Sequence, residues 1–268
     1  MQERLGARIG EGATADVHLW APGQVIKLFK DGVPERLCTH EARTTRAVAG
    51  AGGLAPDVVG VISHVGRPGI IMTRLDGPTL LDALRTGATS SREAGGILAG
   101  CLISVHRTPP PPDLLPLRVY MAGSLRRAGD LISDASAADL LALIDRLSPG
   151  DGLCHGDPNP GNVILTADGP RLIDWIAALR APATLDLASA HVILAELAPQ
   201  LSDDPERPRA VNRALQAAYA DLAGIDPASA AAAVADYLPV ARALLALGGA
   251  VPALASQLIA SLNMTTPA

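Results

Sequence analysis

The sequence is short of lysine, aromatic residues, cysteine and positive charge, and each shortage excludes something. Only two of the 268 residues are lysine, Lys27 and Lys30, so any chemistry that needs a lysine must use one of them. The formal net charge is −5 and no run of Lys or Arg concentrates positive charge, which removes the electrostatic footprint of a nucleic-acid binder. Nucleic acid is not an expected partner. The three cysteines, Cys38, Cys101 and Cys154, are odd in number and far apart. That pattern suits reduced, buried residues better than a disulfide framework or a zinc site. No apolar stretch follows the N-terminal Met-Gln-Glu-Arg, so no secretory leader is expected. The least polar stretch, Ala243 to Ser256, is too short to span a bilayer and contains Pro252. These features lead us to expect a cytoplasmic protein with no membrane partner.

What is present is enough apolar material to fold. Apolar residues make up 49% of the chain and charged residues an ordinary 18%, so extended disorder is not expected despite the abundant Ala, Gly and Pro. The length suits one large domain or two lobes sharing a cleft. Arg8 to Ile9, Asp16 to Trp20 and Gln24 to Phe29 are short strand-like runs broken by Gly and Pro. Pro34 suits the first residue of a helix reaching about Ala49, and Val58 to Val65 and Gly69 to Thr73 read as two more strands. Beyond Leu75-Asp76-Gly77 the period becomes helical, with Leu80, Leu81 and Leu84 and then Ile97, Leu98, Cys101, Leu102 and Val105. The prediction is an α+β chain: a sheet-rich lobe with one helix over residues 1–75 and a larger, mainly helical lobe over 76–268. Pro109 to Pro112 must end a helix and serve as a connector. Helices are predicted around Leu117 to Ile132 and Ala135 to Leu147, and from Thr184 onward with breaks at Pro199, Pro205 to Pro208, Pro227 and Pro252.

The chemistry concentrates between His155 and Asp174. Val163 to Leu165 and Arg171 to Ile173 are short β runs, and Ala167-Asp168-Gly169 supplies the turn between them. Antiparallel pairing would bring Asn162, before the first strand, and Asp174, after the second, to the same open end. The rigid Pro-Asn-Pro-Gly loop can hold Asp157 beside them. An amide oxygen and a carboxylate in one cleft suit Mg²⁺, which takes one or two carboxylates together with phosphate oxygens and water. Asp157 is left to orient a hydroxyl nucleophile and accept its proton. Taken singly, the Asp and Asn residues are also ordinary turn formers.

His155-Gly-Asp157, Asn162 five residues on, Leu-Ile-Asp174-Trp and Asp186-Leu-Ala together resemble the signature of the aminoglycoside phosphotransferase family, within the protein-kinase-like superfamily. The order of lobes agrees over nearly the whole chain. The resemblance implies a two-lobed kinase fold with a nucleotide, ATP or GTP, between the lobes. It implies Asp157 as catalytic base and Asn162 and Asp174 as metal ligands. His155 is better placed to brace the loop than to transfer protons.

The nucleotide half rests on fewer signals. Gly10 and Gly12 lie in a turn between two strands where backbone amides could approach phosphates, although Ala15 stands where a third glycine is usual. Strand alternation puts Lys27 on the face of Val25 and Phe29, where an unpaired ammonium is costly. Glu41 shares a helical stripe with Leu37, Thr45 and Val48 and supplies the counter-charge. Such a pair directs a lysine towards nucleotide phosphates in the kinase fold. Ile70 to Gly77, with Met72 and Arg74, resembles the family's last sheet strand and hinge, where the adenine edge would lie.

Only eleven residues separate Asp174 from Asp186, too few for the long segment with which a protein kinase docks a peptide. The expected substrate is a small-molecule hydroxyl, and a monomer or weak dimer is expected. A protein kinase and an inactive kinase-fold binding module are the alternatives. The second is opposed by the presence of Lys27, Asp157, Asn162 and Asp174 together. The acceptor stays open: six aromatic residues weaken a choline-type cage. Acidic residues such as Glu196 and Asp236 could meet a cationic aminoglycoside or simply face solvent.

Overall fold

The computed structural model describes residues 5–248 and 258–260. Five strands, β1 (Arg8–Glu11), β2 (Ala15–Leu19), β3 (Gln24–Phe29), β4 (Val58–His64) and β5 (Arg67–Thr73), form one antiparallel sheet in the order β1-β2-β3-β5-β4. Helix α1 (Glu35–Gly50) lies against it. The two faces follow the period of two: Val25, Phe29, Ile70 and Met72 pack with Cys38 and Ala42 of α1. Ile26, Leu28 and Ile71 fill the opposite face. Lys27 therefore points, with Val25 and Phe29, towards α1. Pro34 caps α1 in an extended conformation and is not its first helical residue. The buried stripe of α1 runs through Cys38, Glu41, Thr45 and Val48, and Leu37 is only partly covered.

The remainder is mainly helical. It comprises α2 (Leu80–Thr86), α3 (Ser91–Arg107), α4 (Leu117–Ala128), α5 (Asp134–Arg146), α6 (Thr184–His191), α7 (Glu206–Ala223) and α8 (Pro227–Gly248). Two small antiparallel pairs complete it: β6 (Gly152–Cys154) with β9 (Leu179–Ala181), and β7 (Val163–Thr166) with β8 (Gly169–Leu172). A capping box between Ser90 and Glu93 starts α3, and Thr108 ends it just before the proline run. The helix predicted to reach Ile132 stops at Ala128, because Gly129 takes φ +53° and the chain tightens into a short 3₁₀ turn.

The helical breaks expected at Pro205 and Pro227 are present, each with the proline on the far side of the break. Pro205 caps α7, Pro208 sits in its first turn and Pro227 opens α8, so these residues begin helices. Pro239 lies within α8 and the helix continues past it. Pro252 lies outside the described residues. Helix α8 is long and apolar enough to cross a bilayer by length and composition, yet Val240, Ala241, Ala243 and Leu245 are buried in the main core. It is a core helix of this lobe.

Candidate active site

The β7–β8 hairpin turns through Ala167-Asp168 and pairs Val163 with Leu172 and Thr166 with Gly169. One step beyond, the Ile173 N–H donates to the Asn162 carbonyl at 2.9 Å, so the residues that follow and precede the two strands leave the hairpin together. Asp174 then takes φ +64°, a left-handed conformation that Asp tolerates better than bulky residues, and starts a 3₁₀ turn over Trp175–Ala177. Its carboxylate is 38% exposed and faces the cleft side of the sheet.

Asp157 is held by both asparagines of its loop. Asn159 Nδ2 donates to its Oδ1 at 3.1 Å and Asn162 Nδ2 to its Oδ2 at 2.9 Å. Asn162 also donates to the Asp157 carbonyl at 3.0 Å, and Asn159 Oδ1 accepts from the Gly161 N–H at 2.8 Å. The amide hydrogens of Asn162 are thereby committed to Asp157, which turns its oxygen away from that carboxylate. Burial pushes the Asp157 carboxyl above the usual range, with the charge of Asp174 adding to the rise while His155 and the two asparagines oppose it.

Across the cleft, Lys27 Nζ donates to Glu41 Oε1 at 2.6 Å and to Asp174 Oδ1 at 3.1 Å. Burial alone would lower the lysine's pKa, but the two carboxylates raise it to about 12. Burial pushes the Glu41 carboxyl up and Lys27 draws it back; with the ammonium this close, the two stand as an ion pair. The contact to Asp174 is absent from any reading of the sequence, since the two residues are 147 positions apart. Gly10 faces Val17 in the β1–β2 ladder and the Gly12 N–H donates to the Ala15 carbonyl, which closes a tight turn over residues 12–15. Met72 is buried in the sheet core beside α1. Arg74 is exposed and pairs with Asp76 at 2.7 Å, while its N–H donates to the Gly23 carbonyl. The Thr73 N–H is likewise taken by the Asp57 carbonyl.

Asp186 does more than the sequence revealed. It is fully buried and its carboxylate accepts from the backbone N–H groups of His155 and Gly156, both at 2.8 Å. The readable signal was a charge between Leu185 and Leu187 on a buried helix, which must have a partner. His155 braces the loop: its Nε2 donates to the Ile173 carbonyl at 3.0 Å and its Nδ1 accepts from the Asp157 N–H at 3.3 Å. Gly156 takes φ +84°, and a Cβ there would stand 2.3 Å from the Ala177 carbonyl oxygen.

With this geometry in view, the chain matches the model of the phosphotransferase enzyme family over residues 6–233. The chain belongs to that family. A choline/ethanolamine kinase family protein from Mesorhizobium loti superposes with TM-score 0.61 at 17% identity, covering 98% of this chain and 89% of that one. An aminoglycoside-3'-phosphotransferase of type VIII gives 0.58 at 20% identity over 91% and 94%. The aminoglycoside phosphotransferase APH(3'')-Id from Streptomyces rimosus, in complex with ADP and streptomycin, gives 0.55 at 18% over 87% and 91%. These likenesses establish the two-lobed, protein-kinase-like fold. The Probable serine/threonine-protein kinase PkwA of Thermomonospora curvata is 32% identical over 123 residues, which is 42% of this chain and 16% of that protein. In this phosphotransferase, Lys27, Glu41, Asp157, Asn162 and Asp174 form one connected polar cluster between sheet and hairpin.

Proposed function

We propose that the protein is a small-molecule kinase that transfers the γ-phosphoryl group of ATP or GTP, with Mg²⁺, to a hydroxyl of a small acceptor. The observation that carries this reading is Lys27 reaching from the sheet to both Glu41 and Asp174, beside the Asp157–Asn162 pair. Asp157 accepts a hydrogen bond from the acceptor hydroxyl and takes its proton as the oxygen attacks. Its rotamer is set by Asn159 and Asn162, so orientation costs little at the moment of reaction. Lys27, steadied by Glu41, presents its ammonium to the phosphates, and the amides of the turn after Gly10 border them.

The residues fit a hard cation: the Asp174 carboxylate is partly exposed and the Asn162 oxygen is turned from Asp157. Asn162 and Asp174 would hold Mg²⁺, which when bound neutralises charge on the phosphate oxygens. A small acceptor is favoured because the chain between Asp174 and Asp186 is already spent on a 3₁₀ turn and on β9, paired with β6. That leaves no free segment there to hold a peptide. Phe29, Trp175, Tyr219 and Tyr237 are buried and Trp20 lies edge-on to His64, which disfavours an aromatic cage built from the described residues. The acceptor classes favoured are aminoglycoside-like antibiotics and hydroxylated metabolites, with a choline-type acceptor weakened and not excluded.

The test is ATP and GTP consumption against hydroxylated antibiotics, sugars and amino alcohols, with Asp157→Ala as control. Loss of a positioned base lowers turnover by roughly 10²-fold or more while nucleotide binding survives. A variant as fast as the parent on a true acceptor would remove Asp157 from the role.

A further inference from the structure

Beneath the catalytic loop lies a buried polar chain that the mechanism above does not use. His106, in the last turn of α3, donates from Nε2 to Asp186 Oδ2 at 3.2 Å, and its Nδ1 lies 2.7 Å from the Tyr219 hydroxyl of α7. Asp186 is fully buried, and His106 and Tyr219 are nearly so. Burial pushes the Tyr219 phenol up to about 12, so it stays an O–H. Cys154 is close enough that its sulfur, His106 and Asp186 lie within 4.8 Å of one another, but their donors are committed elsewhere. Both Asp186 oxygens accept N–H groups. The Cys154 thiol donates to the Ala181 and Pro182 carbonyls, and burial holds it well above its usual pKa, so the thiolate a metal needs is disfavoured. The cluster is a hydrogen-bond chain and not a metal centre.

We propose that His106 and Tyr219 are positioning residues that act through Asp186 on the backbone of His155-Gly156, and so set the place of Asp157. This rests on the reading of Asp157 given above. One carboxylate grips two successive loop amides, and such a grip is only as well aimed as the carboxylate itself. Two amides leave lone pairs of a buried carboxylate unfilled; His106 supplies the third donor, and Tyr219 holds the His106 ring from its other nitrogen. The loop has little slack to absorb a shift, because the space beside Gly156 is closed, a Cβ there standing 2.3 Å from the Ala177 carbonyl oxygen, and the Asp157 N–H is tied to His155. A displacement of Asp186 therefore passes to Asp157, two residues from the gripped amide of His155.

The experiment uses the full chain and three variants, His106→Leu, His106→Gln and Tyr219→Phe. ADP release from MgATP with water as acceptor, equilibrium MgATP binding and amide hydrogen exchange over residues 153–158 are measured for each. A glutamine amide can donate to Asp186 and accept from Tyr219, whereas leucine can do neither. Losing one buried hydrogen bond predicts, for His106→Leu, turnover lower by roughly tenfold and exchange at His155 and Gly156 faster by roughly tenfold. MgATP affinity should stay within about twofold, and His106→Gln should restore both losses to within about threefold. Equal losses in the Leu and Gln variants, unchanged exchange, or affinity falling in step with turnover overturns the proposal. If the Leu variant does not fold, Tyr219→Phe decides: exchange faster by about threefold at unchanged affinity supports the relay, and parental exchange refutes it. If the parent does not turn over ATP with water, exchange alone decides the positioning role, while Asp157→Ala on a true acceptor decides the kinase reading.

Discussion

Lys27 and Glu41 show how burial makes two charges dependent on one another. The ammonium is 12% exposed and the carboxylate 2%, so removing one partner strands the other. Lys27→Met should cost about 3–5 kcal/mol of stability, because it leaves Glu41 buried without its cation. Adding Glu41→Leu should recover most of that loss, and a double-mutant cycle in urea measures the coupling. Strand alternation and the helical stripe made this pair readable, since each residue alone would have been a costly buried charge. Asp186 offers a pH test. Burial opposes its ionisation, but hydrogen bonds from His106 and the Gly156 amide hold its carboxyl below the ordinary value of 3.8. A depressed carboxyl stabilises the fold fully above its unfolded pKa and loses that contribution as pH falls through the folded one. The parent's denaturation midpoint should therefore drop on acidification below about pH 4. Asp186→Asn should start lower at neutral pH and change less across that acid window.

The strands and the hairpin were legible because they carry period-two patterns bounded by turn residues. Ala167-Asp168-Gly169 marked the turn, and with it the joint exit of Asn162 and Asp174. In the last third the predicted breaks fall at Pro205 and Pro227, which stand at helix starts, where the missing N–H costs nothing. Sequence alone cannot tell a proline that opens a helix from one that ends it without knowing where the helix packs. The connection between sheet and helices is set by a close approach: a Cβ on Gly77 would stand 1.9 Å from the Leu165 carbonyl oxygen, and the Leu165 N–H donates to the Pro78 carbonyl. Gly77→Ala should push this segment off the hairpin. A loss on the order of 1–3 kcal/mol is expected in thermal denaturation, together with weaker MgATP binding.

Sheet and helical part meet through few polar ties. Lys27 reaches Asp174, His40 lies 3.2 Å from the Ile176 carbonyl, Arg171 donates to the Ala55 carbonyl, and the Leu172 N–H donates to the Leu54 carbonyl. All four of these ties end in the segment from Arg171 to Ile176, so the β7–β8 hairpin and its exit are also the joint between the two parts. A nucleotide bound across this joint should stabilise the whole molecule by mass action. At a hundredfold excess over Kd, MgATP should add about 2.7 kcal/mol. The Lys27→Met/Glu41→Leu double variant, folded but without the ammonium, should show little of this gain in the same denaturation assay.

The sequence by itself determined the local frame: which runs are strands, where the sheet gives way to helices, which loop carries Asp157, and that Lys27 and Glu41 answer each other's burial. These follow from periodicity, turn chemistry and the cost of a lone buried charge, all of which act over a few residues. Only the tertiary structure decided that Lys27 also grips Asp174, that Asp186 holds the His155–Gly156 backbone from below, and that His106 and Tyr219 stand behind it. Such contacts join residues as many as 147 positions apart. Sequence signals that a buried polar group needs a partner, but the packing of helices selects which one.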